Sequence, residues 1–193
     1  MPAEQQLPAP TRRADAKRNR AKILAAARSA FADSDAEVSM AEVSRRAGVG
    51  MATLYRNFSG RRELLEALFL DEVNAVCAAA ETVSADTPGA MFTAWLHQFY
   101  AFFHSKHHLS SELLRDSGDS GPFLDRNRDR VLAAARPLLA EAQRAGEVRN
   151  DLTLEQILDM IIAVASISGD PSYSAPILQA AIDGLRSPAA DLR

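Results

Sequence analysis

Three histidines fall at i, i+3 and i+4 (His104, His107 and His108), with Glu112 one turn further on. Imidazoles so spaced share one helical face and can hold a transition metal. Lys106 stands inside the group, Leu109-Ser110 reads as a helix break, and no second cluster completes a ligand set. The histidines therefore read as surface or pocket-edge residues, and no metal and no cofactor is expected. No Ser/His/Asp set and no phosphate-binding glycine loop occurs, so the chain does not read as an enzyme. The groups that call for a role lie earlier, in GVGMATLYRNF, Gly48 to Phe58. If this is a helix with Leu54 and Phe58 turned inward, Met51, Ala52, Thr53, Tyr55, Arg56 and Asn57 are left for a partner. Phenol, guanidinium and carboxamide side by side suit recognition, not bond-making.

A scaffold must hold that array. Ile23, Leu24, Ala27, Ala30 and Phe31 form an apolar stripe at helical spacing, with basic residues on the other faces, so a helix is predicted from Asp15 to the Asp33-Ser34-Asp35 stop. Ser39-Met40-Ala41-Glu42 reads as a capping box. In it the Ser39 hydroxyl accepts the Glu42 amide N–H and the Glu42 carboxylate accepts the Ser39 amide N–H. A second helix then runs to about Ala47, where Gly48 takes a left-handed conformation without steric cost. Only Val49 and Gly50 separate it from a third helix over Met51 to Asn57. Two short helices around a tight glycine turn are a helix-turn-helix pattern. Val43, Ala47, Val49, Leu54 and Phe58 can close a small core with the first helix, and a helix of this size fits the major groove of B-DNA.

The charge distribution points the same way. Residues 1–62 hold twelve Lys/Arg and six Asp/Glu and so carry +6; with −3 for the whole chain, the remainder carries −9. A basic head on an acidic body is expected of a polyanion-binding module joined to one with another task. The alternative is chance segregation of solvated charges. With 47% hydrophobic and 6% aromatic residues, rich in Ala, Leu and Arg, the 193-residue chain reads as all-α. Cys77 is the only cysteine, so no intramolecular disulfide or Cys-based metal cage is expected, and a reducing cytoplasm fits. The segment MPAEQQLPAPTRR lacks the apolar core of a signal peptide. The apolar run near Ile157 to Ile167 is interrupted by Asp159 and is too short for a bilayer. A cytoplasmic chain with no membrane partner is expected.

Three regions follow: a disordered Pro/Gln/Ala-rich arm over 1–11, a helix-turn-helix domain over 12–60, and a helical domain over 61–187. In the last, a helix from Arg61 carries Leu64, Leu65, Leu68, Phe69 and Val73 and continues towards Val83. After a break at 85–89, helices are predicted near 89–106, 110–116, 121–145, 154–168 and 174–186. Pro137 is expected to kink or split the third of these, Gly146 to end it, and Thr153-Leu154-Glu155-Gln156 to cap the next. Phe92, Trp95, Phe99, Phe102 and Phe103 recur at three- and four-residue steps. Such a stripe either buries into core or lines a cavity for an apolar ligand; Trp95, Phe99, Phe102 and Phe103 are the pocket candidates. The 154–168 helix is apolar nearly all round, so a face is left over that needs a cover.

RRADAKRNRAKILAAARSAFA, followed by AEVSRRAGVGMATLYRNFSGRRELLEAL, resembles the N-terminal DNA-binding region of the TetR family of bacterial transcriptional regulators, over about Arg12 to Phe69. The segments AGEVRNDLTLEQILDMIIAVASISGDP and AIDGLR resemble the regulatory domain of its SbtR-like branch. The resemblance implies that Ser39 caps the second helix and touches phosphate. It places Met51, Ala52, Thr53 and Arg56 on base edges and thymine methyls, and Tyr55 and Arg61 on the DNA backbone. Asn57 stands where the family often has His, Ser59-Gly60 where it often has Pro and a small polar residue, and Asp35 where a Gly often ends the first helix. An Arg56 fork on guanine O6 and N7 is worth about 1–3 kcal/mol of discrimination. Lys17, Arg18, Arg20 and Lys22 extend the electrostatic footprint, or are simply a solvated face. The resemblance further implies a small-molecule effector in the C-terminal domain and a homodimer through the helices near 154–168 and 174–186. A ligand-responsive repressor of a near-palindromic, double-stranded operator is the expectation. A helical protein-binding adaptor whose basic head meets an acidic partner is the alternative.

Overall fold

The computed structural model describes residues 9–32, 38–116, 121–167 and 171–187. Among them it has eight α-helices and no strand, as the composition leads one to expect. They are α1 (Ala9–Ala32), α2 (Met40–Ala47), α3 (Met51–Asn57), α4 (Arg61–Thr82), α5 (Pro88–Asp116), α6 (Gly121–Arg144), α7 (Leu154–Ala165) and α8 (Pro171–Asp183). The chain divides into two compact units, 1–69 and 70–193. The division falls within α4 and not at the boundary expected after Gly60, because Leu64, Leu65 and Leu68 are buried in the first unit's core.

Several boundaries differ from expectation. α1 opens at Ala9, so residues 9–11 of the expected disordered arm are helical; Pro10 suits a first turn, where its missing N–H has no partner to lose. The Asp33-Ser34-Asp35 stop lies outside the described residues. The helices expected at 89–106 and 110–116 are one, α5. No Gly or Pro lies between Ala90 and Asp116, and Leu109-Ser110 alone does not stop a helix. Pro137 sits inside α6 without splitting it. Proline in a helix interior costs about 3 kcal/mol through a lost hydrogen bond and a ring clash, but Val131, Leu132, Ala135, Leu139 and Ala142 are buried on both sides of it while Pro137 itself is exposed. Tertiary packing overrides local preference there. α8 starts at Pro171, three residues early.

In the first unit, Ile23, Ala27 and Ala30 of α1 meet Val38, Val43, Leu54, Phe58, Leu64, Leu65 and Leu68 in one core. In the second, Phe92, Trp95, Leu96 and Phe99 of α5 are buried. The Trp95 ring stacks on Phe99 at 5.4 Å between centroids, and its indole N–H donates to the Val76 carbonyl at 3.1 Å. α7 opens on the full capping box: Thr153 Oγ1 accepts the Gln156 N–H at 3.3 Å and Gln156 Oε1 accepts the Thr153 N–H at 2.9 Å. Gly146, at φ 72°, ends α6.

The turn after Gly146 also holds the start of α5. One Glu147 oxygen accepts both the Thr87 hydroxyl at 2.5 Å and the Gly89 N–H at 2.8 Å. A Cβ on Gly89 would lie 2.5 Å from that oxygen and 2.8 Å from the Glu147 Cβ. The carboxylate can swing away only by abandoning both bonds, and the Cβ cannot swing. Gly89→Ala is therefore expected to lower stability by about 1–3 kcal/mol, read from the urea midpoint. An unchanged midpoint would mean that this latch bears no load.

Candidate nucleic-acid interface

The interface begins with how α2 is held. Ser39 is extended (φ −86°, ψ 156°) and its hydroxyl accepts the Glu42 N–H at 3.2 Å. Only this half of the expected capping box is present. The Glu42 carboxylate turns to arginines instead, taking Arg45 and Arg46 each at 2.7 Å, because two guanidiniums at i+3 and i+4 outcompete one neutral N–H. Those bonds hold the Glu42 carboxyl below the usual carboxylate range. Gly48, at φ 63°, donates to the Arg45 carbonyl at 3.2 Å, and Val49 donates to the Ser44 carbonyl at 3.2 Å. This pair of bonds is a Schellman turn. The Ser44 hydroxyl, buried at 5% exposure, then donates to the Val49 carbonyl at 2.6 Å. The turn that aims α3 is thus tied back into α2.

On α3, Leu54 and Phe58 are fully buried, while Met51 is 39% and Tyr55 48% exposed. Ala52 and Arg56 are exposed; Thr53 and Asn57 are half-buried. Arg56 donates to the Thr53 hydroxyl at 3.0 Å, a surface contact that leaves most of its fork facing solvent. Asn57 uses its amide N–H on the Thr53 carbonyl at 2.8 Å. The structure therefore brings Met51, Ala52, Tyr55 and Arg56 to one accessible surface, with Thr53 and Asn57 at its edge. Ser39 is exposed at the start of α2.

Arg61 is placed differently. Its guanidinium donates to the Val38 carbonyl and lies 5.4 Å over the Phe31 ring, which makes it a tie between the first helix and the chain entering α2. Arg20 donates to the Asn57 carbonyl at 3.0 Å and lies 4.2 Å over the Phe58 ring. Arg18 pairs with Asp15, and Lys17 and Lys22 are exposed. Glu63 accepts the Ser59 N–H at 2.7 Å. That bond holds its carboxyl below the usual range, with the Arg20 charge adding to the effect and partial burial opposing it. Ser44, Glu63 and the tie made by Arg20 escape a sequence reading. The only signals are a hydroxyl inside a short helix just before a Gly-Val-Gly turn, and a Ser-x-x-x-Glu spacing at the next helix start.

Known proteins bear on this geometry. The sequence model described as bacterial regulatory proteins, tetR family, matches residues 23–68, and that described as transcriptional regulator SbtR-like, C-terminal domain, matches residues 87–187. The chain belongs to the TetR family. Among solved structures it is similar to a TetR transcriptional regulator from Streptomyces coelicolor at 30% identity, covering 88% of this chain and 99% of that one, with a TM-score of 0.70. It is also similar to a TetR transcription regulatory protein from Mycobacterium vanbaalenii at 32% identity, covering 90% and 98%, with a TM-score of 0.69. No curated protein matches it. This TetR-family chain is a DNA-binding transcriptional regulator of helix-turn-helix type.

In the regulator's second unit, the expected pocket aromatics pack on one another. Trp95 and Phe99 are 0% and 2% exposed, and Phe103 packs on Phe99 and Phe102. Phe102 borders a hollow of about 280 Å³. A second hollow, of about 630 Å³, lies elsewhere, among Thr93, His97, Glu147, Ile182 and Arg186. His104 stacks on Tyr100 at 5.4 Å, and the side chains of His107, His108 and Glu112 lie outside the described residues. On α7, Leu154, Ile157, Leu158, Ile161 and Val164 are buried within the chain itself; on α8, Tyr173 at 64% and Ile177 at 36% remain exposed. Among the described residues no helix is long and apolar enough to cross a membrane.

Proposed function

We propose that this TetR-family regulator is a cytoplasmic, non-catalytic, ligand-responsive repressor that grips a near-palindromic operator as a homodimer. One observation carries the DNA-reading part: two fully buried anchors, Leu54 on α3 and Phe58 just after it, bracket solvent-facing Tyr55 and Arg56. In this reading Arg56, Met51, Ala52 and Thr53 meet base edges in the major groove, Tyr55 and Ser39 meet phosphates, and Asn57 lies at the margin. Arg61, committed to Val38 and Phe31, acts from behind as a structural tie. The exposed Tyr173 and Ile177 on α8 support pairing through α7 and α8. A small molecule in the second unit then favours a dimer whose two reading heads no longer match the half-sites.

Fluorescence anisotropy with the duplex upstream of the regulator's own coding sequence tests this. Affinity should fall steeply with KCl, because each neutralised phosphate releases counterions. Binding that ignores salt, or no binding at all, would contradict it. A narrower expectation concerns Glu42. It occupies Arg45, whose side chain is 74% exposed on the helix that crosses the backbone in this motif. Glu42→Gln should tighten binding to any duplex and steepen the salt slope by up to about 0.9 per arginine that reaches a phosphate. A slope equal to wild type would show that Arg45 already leaves Glu42 when DNA binds.

A further inference from the structure

α3 is seven residues long. A helix so short keeps no orientation of its own, so the angle at which it meets a groove is set by whatever holds its two ends. The first end is held through the Ser44 hydroxyl on the Val49 carbonyl. The last end exposes carbonyls with no partner inside the helix, and one of them, that of Asn57, accepts a bond from Arg20, 37 residues earlier on α1. The same guanidinium covers the Phe58 ring, which is fully buried. A single planar cation therefore grips both the final carbonyl of the reading helix and the ring that anchors it, and its charge opposes the negative end of the helix dipole.

We propose that Arg20 is a positioning residue for sequence reading. It sets the pitch at which α3 presents Tyr55 and Arg56, acting through Asn57 and Phe58 and not by touching DNA. The inference rests on α3 being the DNA-reading helix and refines that role. Arg20 is exposed enough for a direct phosphate contact to be the competing account, and the two differ measurably. A phosphate contact adds affinity for every sequence and one increment of salt dependence. A pitch-setting contact changes the preference for one sequence over another. Lysine supplies the charge but not the rigid fork and flat face together.

The test uses full-length wild type, Arg20→Gln and Arg20→Lys, with anisotropy measured across a KCl series. The probes are a duplex that wild type selects from a random-sequence library and an unrelated duplex of equal length. Both variants should lose about tenfold in the ratio of selected to unrelated affinity, with an unchanged salt slope on the unrelated duplex. If Arg20→Lys keeps the full ratio while Arg20→Gln weakens both duplexes and lowers the slope by about one, Arg20 is a phosphate contact and the proposal fails. Equal ratios in all three proteins also overturn it. Mere destabilisation, followed in parallel by circular dichroism melting, lowers both affinities together and leaves the ratio unmoved, so it too counts against the proposal. Should wild type select no sequence at all, the DNA-reading role itself falls; a wild type that selects and variants that match it sink the positioning role alone.

Discussion

Phe58→Ala should abolish specific DNA binding at protein concentrations where wild type is saturated. Phe58 is fully buried, its N–H closes α3 on the Leu54 carbonyl at 2.9 Å, and its ring carries the Arg20 guanidinium at 4.2 Å. Truncating a buried Phe costs about 3–5 kcal/mol through lost transfer energy and the cavity left behind. A whole domain has only about 5–15 kcal/mol to lose, and the first unit, 1–69, is small. Few molecules would keep α3 in its binding conformation. Urea unfolding followed by circular dichroism, beside an anisotropy titration, reads both consequences. Tyr55→Ala is the matched control: at 48% exposure it should move stability by no more than about 0.5 kcal/mol while still weakening DNA binding. If Phe58→Ala binds like wild type, the reading helix is not held as described.

Arg56→Ala is the second large effect, and it is a loss of discrimination, not of fold. Arg56 is exposed and donates to the Thr53 hydroxyl at 3.0 Å on the same helix, so its removal leaves no buried charge unpaired. If its fork reads a guanine, preference at one base pair in each half-site should relax by about 1–3 kcal/mol, roughly tenfold or more. Affinity for unrelated DNA should change little. Repeating the sequence selection with the variant measures this directly. Selected sites identical to those of wild type would exclude Arg56 from base reading, and an adaptor that merely docks on an acidic protein would give no base-specific change.

Much of this was legible in the residues, for identifiable reasons. Gly48 must be left-handed to stop α2, Ser39 must cap it, and Leu54 and Phe58 at i and i+4 must share the buried face. Each is local, and local chemistry decides it. What escaped depends on distance along the chain. Arg20 read as part of a basic footprint and the resemblance put Arg61 on the DNA backbone; the structure adds a partner within the chain for each, 37 and 23 residues away. Glu42 is a local exception: it read as a capping carboxylate, and the two guanidiniums at i+3 and i+4 take it instead. The aromatic stripe of α5 left core and cavity both open; the burial of Trp95 and Phe99 against neighbouring helices is a tertiary outcome that periodicity alone does not choose. The break read at Leu109-Ser110 does not occur, since neither residue stops a helix by itself, and Pro137 stands inside an unsplit α6.

Hydroxyl-radical footprinting of the protein with and without its selected duplex tests the central claim most directly. Met51 and Tyr55 are reactive side chains at 39% and 48% exposure on α3, and His97, also exposed, lies in the other unit. Oxidation of Met51 and Tyr55 should fall sharply when the duplex saturates the protein, while His97 stays as reactive as before. Met51 and Tyr55 oxidised equally in free and DNA-saturated protein would mean that the outward face of α3 never enters the groove.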